Sequence, residues 1–439
     1  MPADPSPGNL TSPEESALLS KLTRRLVPFL FLLYIVAYLD RINVSFAKLQ
    51  LSEQLHFSDS VFGLAFGMFF AGYLLFQVPS NLILRNIGAR RWIALLMVVW
   101  GIISASMMLI STPRSFYVLR FLLGLAEAGF FPGMIFYLRS WFPAAARARA
   151  VALFATAGPL SGVLGGPLSG AILSFHHGGS LAGWQWLFLL EGVPAILLGI
   201  VVFFVLADGP ADAPWLSPEE RSLLTQALER EQPATSSQHP EEPWWSVFFD
   251  LRVLILAMVY FCLNTSSYGI TLWLPSVLSH LSLRTTFAIG LLSAVPNLTA
   301  AIGMVIVGYH SDRTGERRWH VAGSALVASA ALFVAAISTS TFAVVVALSF
   351  AILGVFAMVG PFWTMAGSLL SGIRASAGIA LINSIGNLGG FFGPSILGFA
   401  KASSGNFRSG LLLLGGGMAV GAVLTLLVRM PLSRDSLGT

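Results

Sequence analysis

Apolar runs of about 20 residues, broken by short polar stretches, recur along almost the whole chain. That is the length an α-helix needs to cross roughly 30 Å of hydrocarbon. The runs fall near 26–47, 60–83, 92–110, 115–138, 150–174, 186–206, 251–278, 286–309, 319–338, 341–370, 376–400 and 409–429, and they predict twelve transmembrane helices. They are continuous rather than alternating every second residue, which points to helices and away from barrel strands. The segment 207–250, rich in Pro, Ser and charge, divides the helices six and six. The expected organisation is a cytosolic N-terminal segment 1–25, a first half 26–206, a cytosolic linker 207–250, a second half 251–429 and a cytosolic tail 430–439.

Composition agrees with an all-α membrane protein. The chain is 55% hydrophobic and 10% charged, with a mean hydropathy of +0.78, values that exclude a soluble domain. Its basic character reflects topology. With the N-terminus placed inside, eighteen of the 25 Lys and Arg residues fall in cytosolic segments and five in outer ones, while Arg41 and Arg120 lie within predicted helices. No nucleic-acid partner is called for. Residues 1–25 lack the charged start, apolar core and cleavage site of a signal peptide. The stretches "SPEESALL" at 12–19 and "SPEERSLL" at 217–224 each read as the start of a surface helix, with Ser, Pro and Glu in the first turn.

Several function classes drop out. There is no Gly-x-x-x-x-Gly-Lys-Ser/Thr phosphate loop, no Gly-x-Ser-x-Gly and no His-Glu-x-x-His, so neither an ATP motor nor a hydrolase is encoded. The single Cys262 rules out an intrachain disulfide, and the seven histidines form no ligand cluster in the sequence. The expectation is a non-enzyme without metal or cofactor that draws its energy from an ion gradient.

The two halves repeat each other. A shift of 227 residues carries Arg147 onto Arg374, Ala150 onto Ala377, Gly162 onto Gly389 and Gly166-Pro167 onto Gly393-Pro394. The same shift lays the loop "NLILRNIGARR" at 81–91 on "GYHSDRTGERR" at 308–318. One offset serving several segments points to a duplicated six-helix unit with a site at the midplane between halves.

The loop at 308–318, with Gly308, Asp312, Arg313 and Gly315, resembles the signature loop of the major facilitator superfamily. The first-half copy departs from it, with Asn81, Arg85 and Asn86 at the Gly, Asp and Arg positions. Together with "LDRINVSFA" at 39–47, "RFLLGLAEAGFFPG" at 120–133 and "WQWLFLLEG" at 184–192, the chain resembles the anion:cation symporter family, in particular its bacterial tartrate and sugar-acid members. The resemblance implies a major facilitator fold and transport of a small organic anion with protons.

Charges inside the apolar runs mark candidate chemistry, because each costs at least about 2.5–3.5 kcal/mol at mid-bilayer. On a helix Tyr34, Tyr38, Arg41 and Ser45 form one polar stripe, while Asp40 is turned away from Arg41 by about 100°. A guanidinium beside hydroxyls suits a carboxylate ligand. Were Asp40 close to Arg41, the guanidinium would keep it ionised until a substrate carboxylate arrived and a proton was recruited. Arg120 and Glu127, seven apart, share a face across Gly124; the resemblance ties both to proton coupling. Neutral candidates at helical spacing are Tyr73 and Gln77; Asn264, Tyr268 and Thr271; and Asn383 and Asn387, with Trp363 and Thr364 beside Pro361. Glu191 reads as a structural partner within its helix, and the stripes Gly63, Gly67, Ala71 and Gly162, Gly166, Gly170 as sites of close helix packing.

The sequence thus predicts a monomeric proton-coupled importer of a small organic anion in a bacterial inner membrane, both termini cytosolic. Its partners are the anion, protons and the lipid bilayer. The glycine-proline stretch "GVLGGPLSGA" at 162–171 also resembles a motif of drug/proton antiporters, which makes a proton-driven exporter the runner-up. A transporter-like sensor stands third, for want of a signalling domain. Nothing in the chain selects among tartrate, galactonate, glucarate and an aromatic acid.

Overall fold

The computed structural model describes residues 13–175, 180–229, 244–280, 285–369 and 372–428. Residues 1–12, part of the linker (230–243), Arg284 and the tail 430–439 lie outside the described residues. The first half runs through α1 (Pro13–Leu55), α2 (Asp59–Ile87), α3 (Ala89–Ser106), α4 (Pro113–Glu127), α5 (Phe130–Trp141), α6 (Ala144–Ala155), α7 (Ala157–Ser174) and α8 (Gly183–Val205). A short linker helix, α9 (Pro218–Glu229), follows. The second half comprises α10 (Leu251–Ser279), α11 (Thr286–Thr314), α12 (Arg318–Ile337), α13 (Thr341–Ala357), α14 (Val359–Ser368), α15 (Gly372–Ser404) and α16 (Arg408–Leu427).

Three predicted membrane helices are each built from two pieces, and proline explains every break. Proline lacks the N–H for the helical bond and its ring crowds the carbonyl four residues earlier. Pro132, Pro159 and Pro361 therefore disturb the backbone at Ala128, Ala155 and Ala357, and α4, α6 and α13 end at Glu127, Ala155 and Ala357. With α4/α5, α6/α7 and α13/α14 taken as single crossings, the chain makes twelve, in two groups of six. Among the described residues, eleven helices are long and apolar enough to cross a membrane. The twelfth crossing, α15, is 33 residues long and dilutes its apolar content with Asn383, Asn387 and several glycines.

Large apolar side chains such as Leu75, Phe204 and Phe342 stand exposed on the outer surface, as a lipid-facing surface requires. The linker is fixed to the first half by ring stacking of Trp215, just before α9, on Trp141, by Arg25 over the Trp215 ring and by the Lys21–Glu220 ion pair at 2.7 Å.

Glycines set how close the helices come. At Gly124 on α4 an added Cβ would lie 1.8 Å from the Phe69 carbonyl oxygen on α2, and at Gly393 on α15 it would lie 2.0 Å from the Thr265 carbonyl on α10. Both glycine stripes read from the sequence pack against the opposite half. Gly166 and Gly170 meet Gly290 and Thr286 on α11, and Gly63 and Gly67 meet Gly398 and Ser395 on α15. These crossings close the space between the halves at the end remote from the linker.

Replacing Gly124 by Ala therefore forces α2 and α4 apart, a change of the overpacking kind that costs about 1–3 kcal/mol or more. Gly416, whose added Cβ would meet nothing within 4 Å, is the control. Thermal melts of the purified variants should show a lowered transition for Gly124→Ala and none for Gly416→Ala; equal melts would mean that the α2–α4 approach is not limiting.

Candidate functional site

Between the halves lies a cavity of about 860 Å³, walled by Tyr34 and Arg41 of α1, Tyr73, Gln77 and Asn81 of α2, Tyr260 and Tyr268 of α10, Trp363 of α14, and Asn383 and Asn387 of α15. Arg139 near the end of α5 also lines it, so the space opens toward the end that carries the linker. Its volume and its mixture of aromatic rings with a few polar groups suit a small polar molecule.

Arg41 is the charged group that α1 contributes to this wall, and it has a buried carboxylate partner. Its Nη2 donates to Glu127 Oε2 at 2.9 Å and its Nε to the same oxygen at 3.3 Å. The guanidinium carbon lies 5.1–5.9 Å from the ring centroids of Phe69, Tyr73 and Tyr38, an aromatic surround that favours a cation. Glu127 is 1% exposed, and its Oε1 has no hydrogen-bond partner among the described residues. The break after Glu127, forced by Pro132, leaves this carboxylate at the last turn of α4.

Asp40 faces elsewhere. It is fully buried, accepting from Ser104 Oγ at 2.7 Å and Trp100 Nε1 at 3.1 Å, both on α3, and from Asn43 Nδ2 at 3.5 Å. The described ion pairs do not include Asp40 with Arg41; the guanidinium's carboxylate is that of Glu127. The field that the sequence placed on Asp40 thus acts on Glu127, because a turn of about 100° sends the two neighbours to different helices.

Arg120, also fully buried, donates from Nε to the Ala65 carbonyl at 3.4 Å and lies 4.9 Å from the Phe69 centroid. Its two terminal nitrogens have no hydrogen-bond partner among the described residues, and it forms no ion pair there with Glu127. Glu191 accepts from Ser169 Oγ at 2.9 Å, bridging α8 and α7.

Of the neutral candidates, Tyr34, Tyr73, Gln77, Tyr268, Trp363, Asn383 and Asn387 line the cavity. Tyr38 stands behind, edge-on to Tyr34, and Ser45 is buried, bonded to the Ile42 carbonyl. Asn264 is buried outside the cavity wall, and Thr364 is exposed, donating to the Gly360 carbonyl. Thr271 likewise lies outside it. Three wall residues with polar groups were not among the sequence candidates: Tyr260, Asn81 and Arg139. Two had a signal, since Tyr260 precedes Asn264 by one helical turn and Asn81 follows Gln77 by one; Arg139 read as a loop charge.

In the signature loop, Gly315 adopts a left-handed conformation (φ 69°) that caps α11, which is why glycine stands there. Asp312 pairs with Arg317 at 2.6 Å, Arg313 is exposed, and an added Cβ at Gly308 would meet open space.

Known proteins agree with this architecture. A protein of Agrobacterium vitis named "Putative tartrate transporter" is 48% identical over 96% of this chain and 93% of its own length. A "Quinolone resistance transporter" of Acinetobacter baumannii is 38% identical over 97% and 98%. A solved bacterial homologue of the human lysosomal transporter Spinster, inward-facing and occupied, superposes with a TM-score of 0.72 at 17% identity, covering 95% of this chain and 97% of its own. The family model of the Major Facilitator Superfamily matches residues 30–394. The chain is thus a multi-pass membrane transporter and not an enzyme, and it belongs to the Major Facilitator Superfamily.

Proposed function

We propose that this transporter imports a small organic anion, a hydroxy-dicarboxylate or sugar acid of the tartrate type, together with protons, by alternating access in a bacterial inner membrane. Arg41 on the cavity wall, paired with the buried Glu127 beside it, carries this reading. A substrate carboxylate and Glu127 compete for one guanidinium. Once the substrate holds Arg41, Glu127 is left buried without its counter-charge, and a proton is the replacement, with Oε1 free of other bonds. Anion and proton then favour each other's binding, as linkage demands in both directions.

Tyr34, Tyr73, Tyr268, Gln77, Asn383 and Asn387 supply neutral partners for substrate hydroxyls, and Trp363 an apolar face. Tyr38 and Asn264 support this lining from behind, and Thr364 stabilises the α14 turn next to Trp363. Arg120 supplies a second buried cation from α4, available to Glu127 when Arg41 is taken. Asp40 has no cation partner among the described ion pairs, so a proton is the counter-charge open to it, which makes it the second coupling carboxyl. The excess of Lys and Arg around the linker supports a cytosolic position for that end, with the termini and the open mouth of the cavity on the same side. Gly315 caps α11 and Asp312, paired with Arg317, ties the turn that follows, with Gly308 and Arg313 in the last two turns of that helix. The working unit is a monomer, and no cofactor enters the cycle.

The relative named for quinolone resistance supports a second reading, proton-driven export, which the aromatic walls would accommodate. A cationic or apolar cargo, however, leaves Arg41 unused. Uptake of labelled organic acids into proteoliposomes under an imposed pH gradient separates the two: accumulation of an acid supports import, and gradient-driven extrusion of a drug with no acid uptake overturns it.

Lysine at position 41 keeps the charge but loses the planar fork, so Arg41→Lys should weaken anion binding about tenfold or more, the worth of one charge-assisted hydrogen bond. Titration calorimetry on purified protein checks this, and wild-type affinity would remove Arg41 from the site. Glu127→Gln mimics the protonated side chain. It should keep counterflow exchange of the anion while losing accumulation driven by the pH gradient; full accumulation by this variant contradicts the coupling role. For Asp40→Asn, anion affinity measured between about pH 5 and 8 should depend less on pH than in the wild type. Identical slopes would leave Asp40 as a buried acceptor for Trp100 and Ser104 alone.

A further inference from the structure

Two of the three lysines in the chain, Lys48 and Lys401, lie together at the closed end of the molecule, remote from the linker. Lys48 belongs to α1 and the first half, Lys401 to α15 and the second. Both are buried, 7% and 8% exposed, which is rare for an ammonium without a full set of partners. They line a separate cavity of about 480 Å³, together with Asp59, Glu53, Ser276, His280 and Thr285.

The charges in this cavity do not balance at its core. Lys48 Nζ pairs with Asp59 Oδ1 at 2.8 Å and lies 4.9 Å from the Trp273 centroid across the gap between halves. Lys401 has no carboxylate partner among the described ion pairs. Its ammonium is hydrogen-bonded to His280 Nε2 and lies 4.3 Å from the Phe407 centroid. Burial, then Lys401, then Lys48 hold His280 below the usual histidine range against the opposite pull of Asp59, so at neutral pH its ring accepts from the lysine and adds no charge. An ammonium has three protons to donate. Ser276 Oγ, on a residue 3% exposed, also lacks any hydrogen-bond partner among the described residues. Glu53 is exposed at the rim.

We infer that Lys48, Lys401 and Ser276 form a second anion site, on the side opposite the substrate cavity, which takes a carboxylate from the outer solution. Two buried ammonium groups and a free hydroxyl converge on a space larger than a halide needs, with aromatic rings behind each lysine. The site is whole only while the halves are closed at this end, since its cations come from different halves. A bound carboxylate therefore stabilises the conformation open toward the linker. This inference rests on the alternating-access reading for its consequence, but binding itself can be measured without transport.

The test uses the full-length Arg41→Ala variant, purified in detergent, so that the central guanidinium is gone. Titration calorimetry with sodium tartrate should show residual saturable binding, weakened about tenfold or more by adding Lys401→Gln and restored by Lys401→Arg. Matched sodium chloride should not saturate it. Absence of residual binding, indifference to Lys401→Gln, or equal saturation by chloride each overturns the site. Lys48→Gln strands Asp59 and can unfold the protein, so Lys401 carries the test. A second measurement follows maleimide labelling of Asn81→Cys, in the substrate cavity, in a Cys262→Ser, Arg41→Ala background. Tartrate should speed labelling, and the effect should vanish with Lys401→Gln; slowing would overturn the conformational assignment. Because Arg41 is absent throughout, failure here leaves the transport reading standing, and failure of uptake in the wild type leaves this site standing.

Discussion

A guanidinium and a carboxylate taken out of water hold one another, and in this transporter nearly every feature around the cavity serves to bring Arg41 and Glu127 to 2.9 Å. Either charge alone is costly to take out of water, and pairing offsets part of that cost. To make it, α1 and α4 must converge on one wall. Gly124 lets α4 lie against α2, Pro132 ends α4 at the carboxylate, and Phe69 on α2 lies beneath both Arg41 and Arg120. The result is a cation on the cavity wall whose carboxylate partner is buried beside it.

The closure at the far end uses a different kind of contact. The shift of 227 residues that reveals the repeat also carries Gly63 onto Gly290, and both glycines sit in crossings between the halves. Gly63 meets Gly398, and Gly290 meets Gly166. Contacts of backbone on backbone gain dispersion energy without interlocking side chains. Such surfaces can part and re-form as rigid bodies, which is what a duplicated fold around a midplane cavity requires. The linker, by contrast, is tied to the first half among the described residues through Trp215 and Glu220.

Hydropathy made the twelve crossings and the two-part organisation legible, because a bilayer forces long apolar helices whatever the packing inside. The glycine stripes and the cavity-facing tyrosines followed from helical periodicity. Three things did not. Periodicity assigns a face but not the neighbour on that face, so Arg41 was matched with Asp40 by sequence when space matches it with Glu127, 86 residues away. Pro361 pointed to the interruption beside Trp363 and Thr364, but neighbours within α14 stand about 100° apart, so Trp363 lines the cavity while Thr364 is exposed. The third miss was the pairing of Lys48 with Lys401 in one cavity, since no local pattern links residues on the first and fifteenth helices.

The adjacency of Asp40 and Arg41 makes sense once the helix is seen end-on. A single turn step of about 100° gives one residue to the core of the first half and the other to the cavity. Asp40 receives Trp100 and Ser104 from α3, so it fixes the rotation of α1 about its own axis. That rotation is what aims Arg41 at the cavity between the halves. Were α1 to turn by one residue, the guanidinium would enter the packed interface with α3 and the carboxylate would face the cavity, reversing the sign of the site. The buried acid thus gives the neighbouring guanidinium its direction, and two charges adjacent in the sequence serve two different surfaces of one helix.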